Sequence, residues 1–189
     1  MKSLRNVGCK LILAAAVLVG PARGDHLDPI KPVAPGPGLA AYFNPGDDIQ
    51  GQIRKAIAAA KTEILVNEYA ITDSLIATDL VEAFKRRHVY VALLLDSSPA
   101  VRNYQAPEYF VMNDLPVLLV QGTGYNNNKY MVIDRQTVLT GSYDLTNAAA
   151  KKNGENLLVV SDAGIASAYY NHWVATAAKA LPATPPKKD

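Results

Sequence analysis

The sequence predicts one α/β domain built on a mixed β-sheet, and three observations carry that expectation. Strand-like and helix-like segments alternate through most of the body, the pattern of helices packed onto a sheet. Val89 to Leu95 is a continuous apolar run, typical of a strand buried on both faces. Beyond residue 128, strand candidates follow one another closely, so part of the sheet should be antiparallel.

Taken in order, Leu39 to Phe43 is a short apolar run. Asn44-Pro45 then reads as a helix cap followed by proline at the first helical position, with Asp47 and Asp48 suited to the positive end of the helix dipole. Ile49, Ile53 and Ile57 recur every four residues and mark one buried helical face. Glu63 to Tyr69 is a strand candidate. From Asp73 a second helix aligns Ile76, Leu80 and Phe84 and ends in Lys85-Arg86-Arg87, cations placed at a C-terminus. A less regular stretch from Ala100 to Asn113 leads to a strand at Val117 to Val120. Lys129 to Asp134 and Thr137 to Tyr143 suggest a hairpin, although Arg135-Gln136 is not a favoured two-residue turn. Asn156 to Ser161 is the last strand, and Ala163 to Leu181 a closing helix that carries His172 and Trp173.

The ends read differently from the body. Lys2, Arg5 and Lys10 precede the apolar run Leu11 to Val19, and Ala22-Arg23-Gly24 offers small residues for cleavage before Asp25. Residues 1–24 are therefore expected to be a secretory signal peptide, which gives a secreted or periplasmic protein without a stable membrane anchor after cleavage. Residues 25–38 are a Pro/Gly-rich leader, residues 39–181 the domain and residues 182–189 a flexible tail. The signal holds four cations and no acid, so removing it takes the formal charge from +2 to −2. A near-neutral domain gives no electrostatic basis for broad nucleic-acid binding, which would need a local basic groove. Cys9, the single cysteine, falls inside the signal, so the mature chain holds together without disulfides.

The chemistry lies in residues 126–156. Lys129 is followed after four residues by Asp134 and after six more by Gly141-Ser142, with Asp144 two positions on and Glu155 in an Glu-Asn pair downstream. This run resembles the phospholipase D superfamily, whose signature is H-x-K-x4-D-x6-G-S-x-N with a downstream acid. The flanks add to the likeness: the segment EILVNEYAIT, the apolar strand ending at Asp96 and the helix with His172-Trp173 are similar to small secreted bacterial endonucleases of that family. The resemblance spans about Leu39 to Leu181. It implies a mixed sheet flanked by helices on both faces, a phosphodiester ligand (nucleic acid or a phospholipid headgroup, nucleic acid being favoured), a homodimer and a mechanism without cofactor or metal. By family position the catalytic set is Asn127, Lys129, Asp134 and Glu155, and the phosphate-binding set is Lys129, Gly141, Ser142 and Asp144.

Two positions depart from the signature: Asn127 replaces the histidine and Asp144 the asparagine. In the family one imidazole attacks phosphorus and a second, from the paired chain, protonates the leaving oxygen. An amide is neither a useful nucleophile nor a titratable acid, so one substitution removes both roles in a dimer. Asp144 places a carboxylate where like charge opposes a phosphate. Glu155, left without its histidine, is expected to pair with Lys129. His26 lies in the leader, His88 follows a helix end, and His172 is expected to pack or hydrogen-bond. No constellation of histidine or cysteine offers a zinc-type metal site.

Taken singly, Lys129 reads as a solvated lysine, Asp134 as a turn former, Gly141-Ser142 as a bulge and residues 126–128 as a polar loop. Their joint register selects the inherited site. Inheritance leaves three functions open: an active hydrolase with a substitute nucleophile, a non-catalytic binder of phosphodiesters, and a scaffold or protein-interaction module.

Overall fold

The apolar run at residues 89–95 forms the middle of the sheet. In the computed structural model, which describes residues 38–98, 101, 106–122 and 124–184, strand β3 (Tyr90–Asp96) pairs in parallel with β2 (Glu63–Glu68) on one side and β4 (Val117–Val120) on the other. Beyond β2 the sheet turns antiparallel through β5 (Tyr130–Ile133), β6 (Thr137–Gly141), β7 (Glu155–Ser161) and β1 (Leu39–Asn44). A short strand β8 (Leu181–Pro182) closes the other edge against β4, giving the order β1-β7-β6-β5-β2-β3-β4-β8. The described residues belong to one compact unit. The expected signal peptide and all of the expected leader but Gly38 lie outside the described residues, as does the tail from 185 onward.

Helices cover both faces. Helices α1 (Ile49–Ala59) and α2 (Ser74–Arg87) bury Ile49, Ile53, Ile57, Ile76 and Leu80 in one core, where Phe110 of α3 (Ala106–Met112) and Ala149 of α4 (Asn147–Lys151) join them. Helix α5 (Ala163–Ala177) packs Ala166 and Trp173 into a second core on the opposite face, and the Trp173 indole donates to the Val66 carbonyl at 2.9 Å. An 11-residue helix such as α1 is marginal alone, and its three buried isoleucines contribute about 1.5–3 kcal/mol each by leaving water. Strand alternation sorts the sheet: Ile64, Val66, Met131 and Ile133 face the α1/α2 core, while Leu65, Tyr130 and Val132 face α5. Glu68 and Lys129 therefore project on the α1/α2 side.

Several local expectations are corrected. Asn44 caps no helix; it ends β1 opposite Glu155, and Asp48 caps α1 by accepting from the Gly51 amide. Asp73 does cap α2, accepting from the amides of Leu75 and Ile76. Helix α5 stops at Ala177, and Leu181-Pro182, expected as helix end and tail, pair with β4 because that edge strand has free backbone groups. The short helices α3 and α4 carry too few periodic residues to announce themselves.

The β5–β6 hairpin forms, with a three-residue loop of Asp134, Arg135 and Gln136 in place of a two-residue turn. Asp134 and Arg135 both adopt positive φ, 52° and 54°. Aspartate tolerates that region. Arg135 is held there by Glu63 Oε1 at 2.5 Å from its Nε and by its guanidinium 4.0 Å from the centre of the Tyr170 ring.

Candidate active site

The site forms where the carboxyl end of the parallel strand β2 meets the start of β5, the end of β6 and the start of β7. Such an edge is the usual ligand position in open α/β sheets. The structure brings Asn127, Lys129 and Asp144 into contact. The Lys129 ammonium donates to Asn127 Oδ1 at 2.5 Å and lies 3.2 Å from Asp144 Oδ1. The lysine side chain is 16% exposed and the aspartate 31%. At that separation the Coulomb attraction is about 5 kcal/mol for an effective dielectric constant of 20, before desolvation is subtracted. An incoming phosphate must compete with it for the lysine.

Lys129 therefore pairs with Asp144, correcting the expected pairing with Glu155. Glu155 turns instead to Ser142, whose hydroxyl donates to Oε2 at 2.5 Å, and to Asn153, whose amide donates to Oε1 at 2.9 Å. The Ser142 oxygen also accepts from the backbone and side-chain nitrogens of Asn156, at 3.0 and 3.2 Å. A hydroxyl has one hydrogen to give, and Ser142 spends it on Glu155. It can reach a phosphoryl oxygen only by leaving that carboxylate.

Gly141 has a structural reason for its identity. A Cβ there would meet the Asn156 carbonyl oxygen at 2.3 Å, so the close approach it permits is between β6 and β7 rather than to a ligand. Asp134, expected in the catalytic set, lies at the other end of β5. Five residues of strand put it roughly 16 Å from Lys129. There it accepts from the amides of Lys61, Thr62 and Glu63 and from the Thr62 hydroxyl, at 2.7–3.1 Å. Burial alone raises its pKa, but these donors outweigh burial and hold the carboxyl below the usual aspartate range.

Sequence reading missed Glu68. This last residue of β2 is 3% exposed and lines a small cavity with Lys129, Gly141, Tyr143 and Leu145. Its Oε2 has no hydrogen-bond partner. Burial pushes its carboxyl well above the usual glutamate range and the Asp144 charge adds to the shift. Lys129 and the Tyr69 and Leu145 amides only partly oppose it. The signal was available in principle, as a charged residue closing the strand EILVNE, whose middle is the apolar run Ile64-Leu65-Val66.

A second polar group, on the α5 side, positions the segment that bears Asn127. Buried Asp96 accepts from the Asn126 amide at 2.6 Å, and the Asn126 side chain donates to Asn67 Oδ1 at 2.8 Å and to the Glu68 carbonyl at 3.2 Å. Asn67 donates to the Tyr130 hydroxyl at 3.1 Å, which leaves the phenol proton for His172 Nδ1 at 2.8 Å. Burial above all pushes that phenol up to about 12, so it stays a donor. His172 thus has the hydrogen-bonding role expected of it, on the sheet face opposite Lys129. His88 caps α2 in the left-handed region at φ 57°, and His26 lies outside the described residues. Neither His88 nor His172 reaches the site. Among the described residues no three His, Cys, Asp or Glu side chains gather to hold a metal.

Comparison with known proteins agrees with this architecture. Residues 53–175 match the family described as "Cardiolipin synthase, PLD-like domain". The phospholipase D of Rickettsia bellii (strain RML369-C) is 32% identical over 141 residues, covering 75% of this chain and 70% of its own. The crystal structure of Nuc from Salmonella typhimurium, described as a phospholipase D family member, superposes with a TM-score of 0.70 at 27% identity over 77% of this chain and 97% of its own. NucT from Helicobacter pylori shares the fold, with a TM-score of 0.71 at 18% identity over 77% and 98% of the two chains. With more than half its length matched and the mixed sheet held in common, the chain belongs to the phospholipase D superfamily of phosphodiesterases.

Proposed function

We propose that this protein binds phosphodiesters at Lys129 and has lost, or keeps only weakly, the family's hydrolytic step. One observation supports this above the rest: the position of the family's histidine holds Asn127, whose side-chain oxygen is bound to Lys129 and which offers neither lone-pair nucleophilicity nor a titratable proton. The neutral amide keeps the lysine in place without performing either catalytic task. Nucleic acid is favoured over phospholipid by two tyrosines beside the site. Tyr125, 73% exposed, accepts the Asn127 amide through its carbonyl and meets Tyr69 edge-on at 5.8 Å between ring centres, an arrangement that offers a face for base stacking. The protein acts as a homodimer after export, in keeping with the single motif and the signal-like N-terminus.

A scaffold role is the competing reading, favoured by the closed pairs Lys129–Asp144 and Ser142–Glu155. Hydrolysis of bis(p-nitrophenyl) phosphate and of plasmid DNA, with chelator present, separates them. The unmodified protein should show little turnover, and Asn127→His with Asp144→Asn should raise the rate by roughly a hundredfold or more, the low end of a general acid–base contribution. Turnover by the unmodified protein that Lys129→Ala abolishes would overturn the loss of catalysis. A folded, dimeric double variant without gain would favour the scaffold. Light scattering of the same preparations reads the oligomeric state.

A further inference from the structure

Arg54, Lys85, Arg86, Lys129 and Arg135 each face a carboxylate. Lys151 and Lys152, at the end of α4, are exposed and have no ion pair among the described residues. Their place is fixed by the chain around them. The Asn147 side chain donates to the Thr72 carbonyl at 2.7 Å and the Asn44 side chain to the Ala149 carbonyl at 3.2 Å. The Ala148 carbonyl accepts from the amides of Lys152 and Asn153 at 2.9 and 3.1 Å. Asn153 then binds the same Glu155 carboxylate that holds Ser142, so the basic turn adjoins the phosphate-binding set. A cation at a helix C-terminus needs no ligand to explain it. Helix α4 has only five residues, however, and Lys152 stands beyond its last turn.

Sheet register gives the turn a direction. Lys129 precedes the Tyr130–Thr140 pair, Gly141 pairs with Leu157, and Glu155 lies two residues outward of Leu157. Two strand spacings and two residues therefore separate Lys129 from Glu155, roughly 12 Å between Cα positions. Tyr69 and Tyr125 lie on the other side of Lys129: Tyr69 follows β2, and Tyr125 precedes Asn126, whose amide is held by Asp96 at the end of β3. Charge changes along the same line. Lys129 against Asp144 and Glu155 leaves −1 at this edge, with Glu68 buried and held toward its neutral form, and the two lysines of the turn bring it to +1.

We infer that the Lys151–Lys152 turn is a second phosphate contact, for a single nucleic-acid strand laid across the carboxyl edge of the sheet from Tyr69 and Tyr125 over Lys129. This placement rests on Lys129 as the phosphodiester-binding residue proposed above. The span of roughly 12 Å corresponds to about four stacked nucleotides at about 3.4 Å each. One isolated phosphodiester group cannot engage Lys129 and the turn together, whereas a strand of that length can. Each lysine is a compact charge on a flexible stem, so the turn favours a polyanion without reading its bases. It also supplies the local basic surface that a domain near neutrality otherwise lacks.

The salt dependence of binding to a single-stranded octanucleotide tests the turn. Each phosphate contact on a single strand adds about 0.7 to the slope of log affinity against log salt. Lys151→Ala with Lys152→Ala should therefore lower the slope by about 1.4, which weakens binding roughly 25-fold at 0.1 M salt and hardly at 1 M. Arginine at both positions should keep the slope. Lys61→Glu makes the same change in net charge at the opposite end of the sheet, beside Asp134, and should keep it too. An unchanged slope in the double alanine variant, or an equal loss in Lys61→Glu, overturns the second contact. Diphenyl phosphate, which carries one charge, reads Lys129 by itself through calorimetry with Lys129→Ala as the comparison. If diphenyl phosphate binds and the octanucleotide does not, the strand is overturned and Lys129 keeps its role. If Lys129→Ala changes neither ligand while the double alanine variant loses the octanucleotide, the phosphodiester role of Lys129 fails and the turn stands as a separate contact. Loss of binding to phosphatidylglycerol vesicles with octanucleotide affinity intact would assign the turn to a lipid surface and overturn the strand.

Discussion

At the carboxyl end of β5, Asp134 accepts from four donors supplied by Lys61, Thr62 and Glu63. At the amino end, Lys129 divides itself between Asn127 and Asp144, and two buried carboxyl oxygens nearby have no hydrogen-bond partner. Both ends belong to one motif, and spacing alone gives them equal standing. The bonding does not. Asp134 has no capacity left for a ligand, and the loop it organises lies far from the lysine. The Lys129 end keeps groups that are buried, charged and incompletely satisfied, at a cost in stability that a binding site bears and a turn does not. The family signature therefore records a fold constraint and a chemical one side by side.

The most direct way to break this comparison is at the saturated end. Asp134→Ala removes an acceptor for three amides and a hydroxyl and leaves alanine at φ 52°, so unfolding in urea should show a loss of about 2–4 kcal/mol. Asp134→Asn, which tolerates that backbone and keeps one acceptor, should lose less. The sign of the pH dependence follows from the depressed carboxyl. Its stabilisation is complete above the unfolded aspartate value and disappears as the pH falls through the folded one, so the acid limb should flatten in Asp134→Asn. An unchanged midpoint in both variants would remove the fold constraint from Asp134.

Glu68→Gln should act with the opposite sign. The Glu68 carboxyl is raised on folding, so the native state binds the proton more tightly and stability falls as the pH climbs from the ordinary glutamate range toward the folded value. Glutamine cannot ionise and should remove that decline, leaving the variant more stable than the unmodified protein at alkaline pH and little changed in acid. Thermal melts across pH read this directly. A parallel decline in both proteins would show that Glu68 does not carry it.

What the sequence made legible divides along the same line. The layered fold followed from period and run length: the isoleucines of α1, the apolar strand β3 and the Asp73 cap all stand where their chemistry demands. The register of Lys129, Ser142, Asp144 and Glu155 located the site. Pairing among them was not legible, because Asp144 and Glu155 are both within plausible reach of one lysine and only three-dimensional placement separates them. Glu68 stayed hidden because a carboxylate ending a strand usually points to water. The β8 strand stayed hidden because two residues have no period, and its pairing depends on an edge that exists only once β4 is in the sheet.

The smallest effect expected lies at the rim of the site, where neither fold nor charge is at stake. Tyr125 is largely exposed and touches Tyr69 edge-on, so Tyr125→Ala should change stability by less than about 0.5 kcal/mol. If its ring stacks a base beside the bound phosphate, the same variant should weaken a single-stranded octanucleotide by about 1 kcal/mol, roughly fivefold, the low end of the stacking range. Fluorescence anisotropy at fixed salt measures this, because phosphate contacts alone vary steeply with ionic strength. Tyr125→Trp should hold or improve affinity, which a merely steric role would not predict. A variant that keeps its oligonucleotide affinity and loses binding to phosphatidylglycerol vesicles would transfer the rim tyrosine, and the substrate preference argued from it, to a lipid headgroup.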